Sequence, residues 1–283
     1  MANSFEKYIG QSTDLDKVLC ALMTSGVLET PEVQYVERGE FKIPVMEMDG
    51  LGNYDKATGF SSGNVSLTFE TKKRNYERSK SFEIDAIDNM ETMGVVTGNL
   101  MNEFMRTKVA PEKDLFTYST LAKKDGIVKV SEDYETGVEV LEALRVATVD
   151  MDNNSVPTTD RYLFITPNNL SAAQLVDTYK SKAILDRFAG IIQVVPAVFK
   201  DNMTLSATNG YTIPAGTHDI NFMIVSKSAV IKKTVHEPLR VFTPDVNQDK
   251  DAYKFQYRVN SIVETYDNKN KGIYCSVGTA ASE

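Results

Sequence analysis

"QYVERGEFKIPVMEM" (residues 34–48) and "NVSLTFETKK" (64–73) decide how the chain is built. In the first, Phe41, Ile43 and Val45 alternate with Lys42, Pro44 and Met46. In the second, Val65, Leu67 and Phe69 alternate with Ser66, Thr68 and Glu70. A period of two is the mark of a strand. The connection between them, "DGLGNYDKATGFSSG", is 15 residues long and rich in glycine, too long for a tight hairpin turn. The pattern predicts a long two-stranded ribbon with a flexible tip. Two strands alone bury too little apolar surface to stand free in water, so the ribbon has to lie on something. If its own chain offers no such surface, a neighbouring copy must.

Downstream, "FEIDAIDNMETMG" (82–94) places Glu83, Asp85, Asp88 and Glu91 within nine positions. Four carboxylates this close suit either a metal or acid–base site, or the polar edge of a structural joint. Phe82, Ile84 and Ala86 alternate with Glu83 and Asp85, which puts the first two carboxylates on one strand face. Asp88-Asn89-Met90-Glu91 fits a capping box, with Asp88 as N-cap and Glu91 reaching back, both favoured by the helix dipole. The cluster is thereby dispersed rather than convergent, and no further ligands stand nearby. The helix it starts carries Met93, Val96 or Thr97, Leu100, Met101, Phe104 and Met105 on one stripe and is expected to stop at Pro111.

Ahead of the ribbon, residues 1–32 read as an arm. Leu15, Val18, Leu19 and Leu22 recur at helical spacing, which predicts a short helix after residues 12–14. Residues 131–240 alternate helix and strand signals: an amphipathic helix with Val138, Leu141, Leu144 and Val146, a buried strand in "RYLFITP", and a helix in "NLSAAQLVDTY" with an asparagine or serine cap. "IIQVVPAVF" and "HDINFMIVSKSAV" add strand-like runs. Together they predict a compact α/β or α+β lobe. In the tail, Tyr253, Phe255, Tyr257 and Val259 alternate with polar residues, the chain turns at "DNKNKG", and it returns through Ile273, Cys275 and Val277. A closing hairpin is expected there.

Composition narrows the function. With 31 basic and 39 acidic side chains the net charge is −8, so a polyanion meets repulsion except at a local basic face. That face would be "TKKRNYERSK" (71–80), with five basic residues; a solvated strand face is the alternative reading. Cys20 and Cys275 form no metal spacing or disulfide framework. The polar N-terminus is expected not to be a signal peptide, and no apolar run nears the roughly 20 residues a bilayer requires. Histidine is scarce: His218 and His236 only. "GFSSG" (59–63) matches a nucleophile elbow with Ser61, but a loop precedes it and a strand follows, where that motif needs a strand and then a helix. No P-loop, dinucleotide fingerprint or His-Glu-x-x-His is present. No catalytic, cofactor-binding or metal residue is expected.

The order of these pieces resembles the major capsid proteins of tailed bacteriophages, the Hong Kong 97-type fold. "GLGNYDKATGFSSGNVSLTFETKKRNYERSKSFEIDAIDNMET" is similar to their extended-loop-to-spine segment and "FMRTKVAPEKD" to the end of their spine helix. "KSAVIKKTVHEPLRVFTP" and "NKNKGIY" resemble the exit from the axial lobe and the final peripheral strands. The resemblance implies an α+β fold: arm 1–32, extended loop 33–82, peripheral domain with spine helix 83–130, axial domain 131–240, and returning peripheral hairpin 241–283. It implies a non-enzymatic protein that assembles with itself, through hexamers and pentamers, into an icosahedral virion shell around double-stranded DNA in the host cytoplasm. Portal and a separate scaffolding protein are the implied partners, since the arm is short for an internal scaffold; no membrane is implied. Some relatives join subunits through a lysine and an asparagine. Lys56, Lys72, Asn268 and Asn270 have the right side chains here, and no such cross-link is expected. Two other readings remain: an encapsulin-like nanocompartment shell, and a hydrolase using Ser61 or the Asp85/Asp88/Glu91 cluster.

Overall fold

The structure, a computed structural model, describes residues 23–30, 40–87, 95–208 and 210–281. The helix expected in the arm and the capping box of Asp88 and Glu91 lie outside them. The ribbon is present. β1 (Glu40–Met48) and β2 (Val65–Lys73) pair antiparallel from Glu40↔Lys73 to Met48↔Val65. After Arg74 and Asn75 the chain continues as β3 (Tyr76–Asp85). There the side chains alternate as expected, with Phe82 and Ile84 packed inward and Glu83 and Asp85 exposed.

The spine is helical in three pieces: α1 (Val95–Phe104), a π-helical turn (Met105–Val109) and α2 (Ala110–Ala122). Pro111 does not stop it, contrary to expectation. A proline inside an α-helix lacks an N–H and crowds the carbonyl four residues back. The wider π turn ahead of it re-starts the helix, so Pro111 falls at the first turn of α2, where its missing N–H costs nothing.

Beyond β4 (Val128–Ser131), α3 (Gly137–Asn153) opens on a capping box: Thr136 accepts from Glu139 N–H, and the Glu139 carboxylate accepts from Thr136 N–H at 3.2 Å. Its inward stripe is Val140, Leu141, Leu144, Ala147 and Met151. Val138 and Val146, expected to be inside, are exposed. β5 (Arg161–Ile165) is buried, as expected. α4 (Pro167–Val176) follows Thr166, which makes no side-chain cap, so the expected asparagine or serine cap is replaced by Pro167 in the first turn. Asp177 then caps α5 (Thr178–Leu185), accepting from the N–H groups of Tyr179 and Lys180. Gly137 marks where α3 and α4 cross closely, since a Cβ there would lie 2.1 Å from the Ala172 carbonyl oxygen. The remaining strands are β6 (Gly190–Gln193), the short hairpin β7 (Thr204–Leu205) and β8 (Tyr211–Thr212), β9 (His218–Ser226), β10 (Val230–His236), β11 (Leu239–Phe242), β12 (Ala252–Thr265) and β13 (Ile273–Ala281).

Two larger sheets organise the molecule. In one, β12 pairs β3 along one edge and β11 then β10 along the other. The second has the order β4-β13-β9-β5-β6, with β13 parallel to β4 and antiparallel to β9. The expected closing hairpin is therefore absent. Residues Asp267–Gly272 form a 3-10 turn, and the strands on either side of it join different sheets. Burial explains why. Ile273, Cys275 and Val277 pack in one apolar cluster, with Tyr118 and Leu121 of α2. Tyr274, between them in sequence, packs in the opposite cluster with α3. A strand apolar on both faces needs cover on both, and a central place in this sheet supplies it. The spine joins the two sheets: Met101, Met105 and Val109 pack on Phe255, Tyr257 and Val259, while Tyr118 and Leu121 pack on the second sheet. Among the described residues no helix is long and apolar enough to cross a membrane.

Candidate functional site

The antiparallel register gives the β1–β2 ribbon two unlike faces. Directly paired residues share a face, so Pro44, Met46 and Met48 stand beside Phe69, Leu67 and Val65. All six are exposed: Met46 is 58% open to solvent, Leu67 52% and Phe69 60%. The opposite face sets Phe41, Ile43 and Val45 against Lys72, Glu70 and Thr68. That face seats the base of the ribbon. Phe41 is fully buried against Ile231 and Ile262, with Ile43 beside it. The Lys72 ammonium sits 2.6 Å from Asp267 and 3.7 Å from Glu70, pinning β2 to the 3-10 turn that precedes β13. The chain thus supplies a seat for the ribbon's root, and nothing among the described residues covers its far apolar face. The signal was in the sequence: Pro44-Val45-Met46 is apolar at three successive positions, which means apolar on both faces.

The tip is internally ordered, not a slack loop. Backbone hydrogen bonds link Asp55 and Gly59 in both directions, at 3.2 and 2.7 Å. Asp55 also accepts from Ala57 N–H at 2.9 Å and from the Thr58 hydroxyl at 3.1 Å. The Ala57 N–H, with the Thr58 hydroxyl second, holds the Asp55 carboxyl below the usual carboxylate range. Gly59 takes φ +82°, the left-handed region glycine enters without strain, and closes the turn. Tyr54 and Phe60 meet edge to face, 5.2 Å between centroids, and both are exposed. An aspartate that bonds its own backbone two residues on is enough to order such a loop.

The carboxylates of the 82–94 stretch do not converge where they are described. Glu83 is paired within its own chain, to Lys250 at 3.2 Å and Lys254 at 3.4 Å. Those two ammonium groups, Lys250 first, hold it below the usual glutamate range. Asp85 accepts from Ile87 N–H at 2.8 Å. Ala86 and Ile87, which follow it, have helical geometry, and Asp88 and Glu91 lie outside the described residues.

Ser61 lies in the loop ahead of β2. Among the described residues no histidine or carboxylate hydrogen-bonds to it, and His218 and His236 stand on β9 and at the end of β10. No group of three potential metal ligands exists among the described residues. The basic run 72–80 is largely neutralised in place: Lys72 by Asp267, Lys73 by Glu40 at 3.7 Å, and Arg78 by Glu112 at 2.8 Å. Lys56 sits in the tip, and Asn270 donates to the Asp125 carbonyl at 2.9 Å. A ribbon whose far apolar face is left open by the described residues, rooted on a two-sheet body, is suited to burying that face against another surface.

No protein-family model matches the chain. No curated protein matches it either. Solved structures do. The capsid structure of cyanophage P-SCSP1u superposes with a TM-score of 0.61, covering 90% of this chain and 87% of that one at 15% identity. The fold is that of the Hong Kong 97-type capsid proteins. A structure from Gordonia phage Cozz gives a TM-score of 0.60 over 93% of this chain and 86% of that one, at 12% identity. A virus-like particle from Pyrococcus furiosus gives 0.58 over 93% and 96%, at 13% identity. The likeness in the Hong Kong 97-type fold covers 86–96% of each of these chains, while only 12–15% of the residues are identical.

Proposed function

We propose that this chain is the major capsid protein of a tailed phage or prophage, a non-enzymatic subunit that self-assembles into an icosahedral shell. The observation that carries the reading is the open ribbon face of Pro44, Met46, Met48, Val65, Leu67 and Phe69, on a chain whose described residues seat only the ribbon's root. An exposed apolar sheet face of this extent calls for a partner. Closed symmetry makes a second copy the natural one, each ribbon lying on the next subunit round a ring. The fold likeness to phage capsid structures points the same way.

In this reading residues 33–82 form the extended loop, 83–130 with 241–283 the peripheral domain, and 131–240 the axial domain that meets its symmetry mates in hexamers and pentamers. The segments exchange strands in this reading: β13 pairs with β9 of 131–240, and β10 of 131–240 pairs with β12. The shell encloses double-stranded DNA by diffuse contact, in keeping with the acidic balance and the neutralised basic run. A portal and a separate scaffold complete the assembly in the host cytoplasm. The test is sedimentation of the purified protein over a concentration series, with and without the neighbouring scaffold. Capsomers and shells growing in with concentration support the proposal; a monomer that persists in both series overturns it.

A further inference from the structure

Alongside the spine, between it and the β7–β8 hairpin, runs a groove of about 860 Å³. Phe82, Tyr257 and Val259 of the first sheet, Leu100 and Phe104 of α1, and Tyr211 of β8 give it an apolar lining. Its far wall is fastened in place. Arg78 donates to the carbonyls of Ser206 at 2.5 Å and Gly210 at 2.7 Å, tying the hairpin to β3. The same guanidinium donates through Nε to Glu112 of α2 at 2.8 Å, and the buried Tyr76 hydroxyl donates to that carboxylate at 3.0 Å. One side chain thus fixes hairpin, strand and spine relative to each other.

We propose that this groove receives the ribbon tip of a second copy of the chain, with Tyr54 and Phe60 entering between spine and hairpin. The inference rests on the self-assembly reading and names the site at which one copy holds the next. The form of the tip suits it. Tyr54 and Phe60 make an edge-to-face pair there, Phe60 is 90% exposed, and Leu51 on the same loop is exposed as well. The two limbs of the loop touch, since a Cβ on Gly52 would lie 2.3 Å from the Ser61 hydroxyl oxygen, so the tip is narrow. It is also ordered before it docks. Asp55 already accepts from Ala57 N–H and the Thr58 hydroxyl, which leaves little loop entropy to lose on binding.

None of the residues lining the groove belongs to β1, β2 or the loop between them. The tip of the same chain therefore lies elsewhere, and the one that enters comes from another copy. Charge favours the match. The lining carries Arg78, Lys80 and Lys108 against Glu103 and Glu112, and Glu103 is itself held by Arg106. The tip carries Asp49 and Asp55 against Lys56 alone. A net positive groove thus meets a net negative tip. Area favours it too. Aromatic side chains bury about 150–250 Å² each, so Tyr54 and Phe60 bring about 300–500 Å². They adjoin the open ribbon face, which ends at Met48 and Val65. Tip and face together approach the roughly 1,000 Å² that a specific interface requires.

The test uses two batches of full-length chain, both carrying Cys20→Ser, which leaves Cys275 buried as the native thiol. One batch adds Ala57→Cys or Ser61→Cys at the tip. The other adds Thr107→Cys on the spine wall or Thr208→Cys on the hairpin wall. In the control the groove thiol is replaced by Leu175→Cys, exposed on α4. A disulfide closes only when the Cα atoms come within about 7 Å, and with one reactive thiol per chain it can close only between copies. The batches are mixed under assembly conditions, with and without the scaffold, then oxidised, and the tip–groove product is identified by peptide mass. At least one tip–groove pair should close at least tenfold faster than the tip–control pair. Adding Phe60→Asp to the tip chain should return it to the control rate. Sedimentation of the same mixtures keeps the two readings apart. Oligomers whose tip–groove bonds form no faster than the control overturn this inference alone, and chains that stay monomeric overturn it together with self-assembly. A fast bond that survives Phe60→Asp also overturns it, by showing that the aromatic contact does not bring the thiols together.

Discussion

Replacing Leu67 and Phe69 together by aspartate puts two charges on the open face of the ribbon and leaves its root untouched. Fully covering a leucine or phenylalanine side chain is worth about 1.5–3 kcal/mol. Here 52% of Leu67 and 60% of Phe69 is still open, so roughly half of that gain, about 1 kcal/mol each, is left to be realised in a contact. The double substitution removes about 2–3 kcal/mol per ribbon, a factor of roughly 30–150 in association. Desolvating the new carboxylates adds to this, so the factor is a floor. The isolated subunit should hardly notice, since exposed substitutions change stability by about 0.5 kcal/mol or less. Light scattering against concentration should show the assembly threshold raised at least about 30-fold, while the unassembled subunit melts within about 2 °C of wild type. Ser66→Asp, on the opposite face opposite Glu47, is the matched control and should assemble normally. An unchanged threshold would refute the reasoning. A melting temperature lowered by more than about 5 °C would do so differently, by showing that the face packs on its own chain.

Three further expectations concern the body. Asp114→Ala strips Thr24 and Ser25, N–H and hydroxyl alike, of their shared acceptor. Urea unfolding should show a loss of about 2–3 kcal/mol, the worth of hydrogen bonds to a charged acceptor, and a loss below about 1 would mean the clamp is unimportant. The N–H groups of Glu135 and then Thr136 hold the Glu139 carboxyl below the usual glutamate range. Because the folded value is the lower one, its contribution is complete above the ordinary glutamate pKa and is lost as pH falls through the lowered folded value. Urea midpoints of wild type and Glu139→Gln should therefore converge as pH is taken from 7 towards 3, and parallel curves would contradict the assignment. Burial pushes the Cys275 thiol up to about 12, so maleimide at neutral pH should leave it unmodified in the folded chain and label it after unfolding, as read by peptide mass.

The ribbon was legible because its alternation is local: Phe41, Ile43, Val65, Leu67 and Phe69 announce themselves without any knowledge of the rest of the chain. Its register was not, and register decides that Met46 and Leu67 share a face. The tail shows the same limit. Residues 252–281 contain two strands and a turn, as the pattern says, yet which sheet each strand joins depends on what covers Tyr274 and Cys275 from residues over a hundred positions away. Pro111 misled for a different reason. The rule that proline ends a helix holds for α geometry, and the π turn at Met105–Val109 has no sequence signature. In the candidate site the tip's order hung on one side chain, Asp55, which reads in sequence as another polar loop residue. The groove was invisible altogether, because Phe82, Leu100, Tyr211 and Val259 come from four separate elements.

The central claim is that the open ribbon face is covered by another copy of this chain. A photo-reactive phenylalanine analogue placed at Leu67 in otherwise wild-type protein, irradiated under assembly conditions, tests it directly. The account predicts a cross-linked product of two chains, with the second attachment point mapped by mass spectrometry to the body of a neighbouring subunit. A product cross-linked only within one chain, or reaction with water alone at every protein concentration, would contradict it.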